Sequence, residues 1–198
     1  MCDRERASND TSRDHHGHLR HEYEALGPQK FYETHGSTYR NPHEEAIRAA
    51  LQQAVATWAP RMDTVLDLAC GSGEATLALE QLGAAHVDGM DPYTCEAYRA
   101  RTGRPCEALS FEDVGRGELD ARDPWDLCVC SFALHLLDES WLPATCSQLA
   151  LKARRLLILS PHKRPHIRKE WGWEELGALA TSCGHHRVKA RLFASLYI

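Results

Sequence analysis

Apolar positions along the chain follow two different periods. Between residues 44 and 58, Ile47, Leu51, Val55 and Trp58 recur at helical spacing. Ahead of them Asn41-Pro42-His43-Glu44 reads as a helix start, with Asn41 as cap, Pro42 in the first turn and Glu44 as the third residue of a capping box; Ala59-Pro60 ends the run. From residue 64 the pattern changes. Short apolar runs at 64–69, 86–90, 105–109, 125–132 and 155–160 predict buried strands, and the intervals carry helical segments at Glu74–Gln81, Thr94–Thr102 and Trp141–Ala153. In the last of these Leu142, Cys146, Leu149 and Ala153 share one face. Near-continuous apolar strands alternating with helices predict an α/β fold, a doubly wound and mostly parallel sheet covered on both sides and wound by right-handed crossovers. Past the fifth strand the spacing predicts a helix at Glu174–Cys183, stopped by Gly184 as a left-handed cap, and one last strand from Val188 to about Tyr197. With one strand there, the sheet is expected to be shortened at its carboxyl-terminal end.

The first thirty residues show neither period and few aliphatics, so 1–30 is expected to be a disordered tail ahead of a single domain over 31–198. His15, His16, His18 and His21 within it read as surface histidines, since no cysteine or carboxylate is placed to complete a rigid metal site. A length of 198 residues, with 43% hydrophobic and 26% charged residues, suits one globular domain with a substantial core. No run approaches the ~20 apolar residues of a membrane span. The start lacks the apolar core of a signal peptide, so a cytoplasmic location without a membrane partner is expected. The eight cysteines are scattered and form no CxxC pair, which points to reduced thiols and no metal centre. A net charge of -5 argues against a general nucleic-acid binder. Residues 151–198 nevertheless hold ten Lys or Arg against three Glu, which reads either as a solvated basic face or as a site for an anionic substrate.

Candidate chemistry gathers where the first strand runs into a glycine turn, Val65-Leu66-Asp67-Leu68-Ala69-Cys70-Gly71-Ser72-Gly73-Glu74. Gly71 and Gly73 let the backbone turn tightly beside a ligand, and the following helix offers free N–H groups. Asp67 just ahead of the turn would repel a pyrophosphate and attract an ammonium group. Thr76 stands where a dinucleotide fingerprint wants Gly or Ala. The second strand ends in Gly89-Met90-Asp91, an acid able to accept both hydroxyls of a ribose.

These segments resemble the class I S-adenosylmethionine-dependent methyltransferases. VLDLACGSG is similar to that family's first motif, GMDPYT to its second, SFED at 110–113 to its third and DLCVCSFALHLL at 126–137 to its fourth, while LLILSPHK at 156–163 resembles the strand and loop beyond. The resemblance implies a Rossmann-like class I fold and S-adenosyl-L-methionine as cofactor. It implies that Asp67 and the Gly71–Gly73 backbone hold the methionine portion, that Asp91 holds the ribose and that Pro92 and Phe111 flank the adenine. Ala69 takes the place of the family's first glycine. Ser110 stands where the family often has an acid that reads the adenine amino group, and its hydroxyl or the neighbouring backbone would substitute. The loop after the fourth strand, Ser131-Phe132-Ala133-Leu134-His135, faces the transferable methyl in the family, which makes Ser131 a cofactor neighbour and His135 a candidate base. His162 beyond the next strand is a second candidate, with Lys163 and Arg164 able to hold an acidic acceptor. Tyr39 and Arg40 are placed to close over the cofactor's carboxylate, and Trp141, Trp171 and Trp173 are read as core or rim.

The acceptor expected first is a small molecule, with RNA or protein second because of the basic C-terminal quarter. Amino methylation of DNA bases lacks support, because Ser131-Phe132-Ala133-Leu134 replaces the Asn-Pro-Pro-Tyr type motif. A non-catalytic module that binds the same cofactor and a nicotinamide-dependent oxidoreductase are the competing readings.

Overall fold

The computed structural model describes residue 30, residues 34–184 and residues 186–198. The tail expected over 1–30, with its histidines, lies outside the described residues apart from Lys30. Seven strands form one sheet in the order β3-β2-β1-β4-β5-β7-β6. They are β1 (Val65–Leu68), β2 (Val87–Met90), β3 (Cys106–Glu107), β4 (Leu127–Ser131), β5 (Arg155–Ser160), β6 (Trp173–Cys183) and β7 (His186–Ser195). The first five run parallel and β7 is antiparallel to both β5 and β6. Helices α1 (Glu44–Trp58), α2 (Glu74–Gln81), α3 (Cys95–Thr102), α4 (Phe111–Gly115) and α5 (Leu142–Lys152) accompany the strands.

Each face of the sheet carries a core, as strands buried on both sides require. On one face Leu66, Leu68, Cys128, Cys130, Leu156 and Ile158 meet Cys146 and Leu149 of α5. On the other, Val65, Leu127, Val129, Leu157 and Leu159 meet Ile47 and Leu51 of α1 and Leu79 of α2. Full burial of such side chains stabilises by about 1.5–3 kcal/mol each. Strand order reverses between β1 and β4, and the carboxyl ends of strands beside such a reversal form a natural crevice.

The C-terminal region departs from the expectation. Residues 173–183 are a strand, and Gly184, at φ 56°, turns a hairpin instead of capping a helix. The sheet is therefore complete. Leu176, Leu179, Ala180 and Cys183 do lie at helical spacing, but the ladder to β7 outweighs that local preference. Thiol chemistry also differs, because Cys95 and Cys106 form a disulfide joining the start of α3 to β3, while Cys128, Cys130 and Cys146 are buried free thiols. At α1 the cap residue is His43, and Asn41 instead accepts the His43 N–H at 2.9 Å. Trp173 is core, its indole N–H donating to the Cys146 carbonyl, and Trp141 and Trp171 pack at the core margin under Arg116 and Arg168. Among the described residues no helix is long and apolar enough to cross a membrane, and no cluster of side chains could hold a metal ion.

Candidate active site

A cavity of about 380 Å³ opens at the carboxyl ends of β1, β2, β3 and β4. Of the nine cofactor positions singled out in the sequence, seven line it: Ala69, Gly71, Asp91, Pro92, Ser110, Phe111 and Ser131. The β1 turn reaches it through unusual backbone. Ala69 adopts φ 56° and Gly71 φ 58°, and Gly73 at φ 89° opens α2, where a Cβ would stand 2.5 Å from the Thr102 methyl. A β-carbon is excluded there sterically as well as conformationally. For Ala69 the left-handed backbone costs on the order of 1–2 kcal/mol.

Asp67 and Gly73 do not reach the cavity wall. Asp67 is fully buried beneath the turn, and one of its oxygens accepts both the Thr76 N–H at 3.0 Å and the Thr76 hydroxyl at 2.6 Å; the Thr76 hydroxyl also lies 3.1 Å from the Tyr98 phenol. The second oxygen has no hydrogen-bond partner. Burial, opposed by the Thr76 hydroxyl and helped by nearby Glu74, pushes the Asp67 carboxyl up to about 7. Thr76 thus departs from the dinucleotide pattern in order to brace Asp67. The acid expected to hold the methionine portion therefore lies behind the turn and does not line the cavity.

Asp91 does line the cavity. It accepts N–H groups from Tyr93 and Thr94 (both 2.9 Å) and from Gly71 (3.2 Å), so the second motif is tied to the first. Burial raises its pKa while these backbone bonds oppose the rise. Ser110 spends its hydroxyl locally: it accepts the Asp113 N–H and donates to the Asp113 carboxylate, closing a capping box on α4. The Ser110 backbone N–H, which donates to the same carboxylate at 3.0 Å, and then the Ser110 hydroxyl hold the Asp113 carboxyl below its ordinary value. The hydroxyl is thereby engaged with Asp113, and Glu112 supplies an acid to the cavity two residues further on.

Glu74 is a wall residue that sequence reasoning missed. The residue is 4% exposed, yet it lines the cavity and gathers donors from four sources: Ser72 N–H and hydroxyl, Asn41 N–H at 2.9 Å and Arg101 at 3.1 Å. Arg101 also pairs with Glu44, so the segment carrying the wall residues Tyr39 and Asn41 is bound to the glycine turn. Arg40 points its guanidinium at the Tyr39 carbonyl and does not line the cavity.

His135 sits in a short 3₁₀ turn (Leu134–Leu136) between Ala133 and Leu136, both cavity residues. His162 meets it edge-on, with ring centroids 5.6 Å apart. Neither imidazole lines the cavity itself. Burial first, and His162 second, lower the His135 pKa, which favours a neutral ring. Its buried Nδ1 has no hydrogen-bond partner. Preceding them, Phe132 holds φ 55° and stacks on His43 at 5.1 Å.

The cavity suits a cationic nucleoside: its wall combines carboxylates of Asp91, Glu74 and Glu112 with the rings of Phe111 and Tyr39, and the glycine backbone can lie against a ligand. Comparison with known proteins agrees. Residues 65–154 match the family model described as a methyltransferase domain. An uncharacterized protein of Schizosaccharomyces pombe is 36% identical, the alignment covering 86% of this chain and 90% of that protein. Magnesium protoporphyrin IX methyltransferase (ChlM) from Synechocystis PCC 6803, crystallised with S-adenosylmethionine, superposes with a TM-score of 0.59 at 17% identity, covering 89% of this chain and 96% of that one. N-methyltransferase NodS from Bradyrhizobium japonicum WM9, bound to S-adenosylhomocysteine, gives 0.57 at 14% identity over 90% and 97%. The chain belongs to the class I S-adenosylmethionine-dependent methyltransferases. Its cofactor is S-adenosylmethionine, and its reaction is methyl transfer.

Proposed function

We propose that the acceptor is a small molecule and that His135, with His162 beside it, takes the proton the acceptor releases. The observation that carries the reading is the single cavity lined by residues of all four motifs at the point where strand order reverses. S-adenosylmethionine supplies a methyl group already activated by a sulfonium. The chain's own work is then to hold and orient, which accounts for much of the acceleration in such a displacement. Asp91 is assigned to the ribose hydroxyls, Pro92 and Phe111 to the adenine faces, and the Ala69–Gly71 backbone with Glu74 and Tyr39 to the methionine end. Asp67 and Gly73 shape the turn from behind. A neutral His135 is in the protonation state a base requires. The neighbours support a small acceptor in kind, since ChlM is named for a porphyrin substrate. A cytoplasmic location is part of the same proposal.

Calorimetric titration with S-adenosylhomocysteine, followed by a screen for methyl transfer from labelled cofactor into fractionated metabolites and RNA, tests the reading. Binding together with label in a metabolite fraction is expected. Label confined to RNA, or binding with no transfer into any fraction, would overturn the small-molecule assignment.

A further inference from the structure

Between β5 and β6 the chain crosses residues 161–172 with no more than a three-residue 3₁₀ turn (Lys169–Trp171), so no α-helix from this connection covers the adjoining sheet face. Three basic residues of β7 stand on that face. Val188, Ala190 and Leu192 turn into the core against α1, so by alternation Arg187, Lys189 and Arg191 turn the other way, spaced about 7 Å apart. Register puts them opposite the small residues Ser182, Ala180 and Ala178 of β6, with Arg187 exposed, Lys189 half-buried and Arg191 buried. On the other flank Lys189 pairs with Ser160 and Arg191 with Ile158, at the carboxyl end of β5.

Arg191 sets this row apart from an ordinary solvated face. It is 7% exposed, and no described carboxylate lies within 4.0 Å of it, of Lys189 or of Arg187. Its guanidinium donates one hydrogen bond, from Nη2 to the Pro165 carbonyl at 2.6 Å, and its buried Nε has no partner. A guanidinium carries five donors in a planar fork suited to carboxylate and phosphate; here the charge of Glu175, beyond ion-pair distance, and the Phe193 ring, its centroid 5.6 Å from Cζ, offset the burial without filling the fork, which leaves its remaining donors to an anion. The site adjoins the proposed base. Ser160, next to Lys189 in the ladder, accepts the His162 N–H at 3.1 Å, and His162 touches His135. Lys163 and Arg164 follow on the same loop.

We infer that Arg191, with Lys189 and Arg187, binds the anionic group of the methyl acceptor, so that the substrate is a small molecule carrying a carboxylate or phosphate. The inference rests on the proposed small-molecule reading and names its chemical class. A nucleic-acid strand is disfavoured by the face itself, which sets Ala and Ser between the cations where a strand-binding surface sets stacking aromatics.

The test uses the full chain saturated with S-adenosylhomocysteine and titrated with inorganic phosphate, with succinate and with a short single-stranded oligoribonucleotide. Wild type is expected to bind one of the two small anions, and Arg191→Met to weaken that affinity by about tenfold or more. Because Arg191 packs against the core, the outward Arg187→Ala/Lys189→Ala pair serves as a second variant, expected to weaken the same anion with an unchanged melting temperature. S-adenosylhomocysteine affinity is measured on every protein and should not move. No anion binding by wild type, or equal binding by all variants, overturns the inference, as does an oligoribonucleotide that outcompetes both small anions. Loss of S-adenosylhomocysteine binding by wild type would instead strike the proposed function and leave the anion result standing.

Discussion

Thr76 gives both its backbone N–H and its hydroxyl to the same oxygen of Asp67, at 3.0 and 2.6 Å, under the glycine turn that lines the cofactor cavity. An acid in the first motif therefore works as an internal brace between β1 and α2. Thr76→Val keeps the shape and removes the hydroxyl donor. It should destabilise the fold by about 1–3 kcal/mol, the cost of a buried acceptor losing a donor. Cofactor affinity should fall as the turn relaxes. Thermal melts with and without S-adenosylhomocysteine check both; an unchanged melt would remove the brace.

Protonation of the same acid has a defined sign. Its folded pKa, about 7, lies above the ordinary 3.8, so the fold favours the neutral carboxyl. That contribution is full below pH 4 and is lost as pH climbs through 7. Asp67→Asn should abolish this dependence, leaving a melting temperature that changes less between pH 5 and pH 8 than in wild type. Equal slopes for the two proteins would contradict the assignment.

Asp91 joins three backbone N–H groups and faces the cavity. Asp91→Ala removes both the turn's tether and the acceptor for the ribose hydroxyls. S-adenosylhomocysteine affinity is expected to drop about 10- to 100-fold, read by calorimetry.

His135→Ala should lower the turnover number by about 10²- to 10⁴-fold, the range for losing a positioned base, while leaving cofactor affinity intact. In wild type, activity should fall on the acid side as His135 takes up a proton, with an inflection below the ordinary 6.5. The variant should lack that limb.

The Cys95–Cys106 disulfide closes a short loop beside Asp91, to whose carbonyl Cys95 Sγ also points. Reduction is expected to lower stability by about 2–4 kcal/mol. For a domain of this size that is roughly 2–4 °C per kcal/mol. Wild type in dithiothreitol should then melt like Cys95→Ser without it.

Much of this architecture was legible because local signals and burial coincide. The strands β1, β2, β4 and β5 are short apolar runs with both faces covered, and Glu74–Gln81 is a helix at the residues its spacing predicts. Residues 173–183 were misread because their Leu and Ala spacing satisfies a helix and Gly184 reads equally as a helix cap or a hairpin turn; only the pairing with the strand that follows decides otherwise. The cavity was legible through its motif residues. Its bracing was not: Asp67 looks like a ligand contact until its depth is known, and Ser110 looks available until Asp113 is seen to occupy it. Glu74 had one readable signal, an acid directly after Gly73. Its partners Asn41 and Arg101 lie 33 and 27 residues away in sequence, a distance no local pattern spans.

That carboxylate has a structural implication. Tyr39 and Asn41 form part of the wall, and the Asn41 amide is fastened to Glu74, with Arg101 clasping Glu44 on the same helix start. Any opening of that wall would sever those bonds, so the junction of α1 with the glycine turn ties the order of the cavity rim to the order of the turn beneath it.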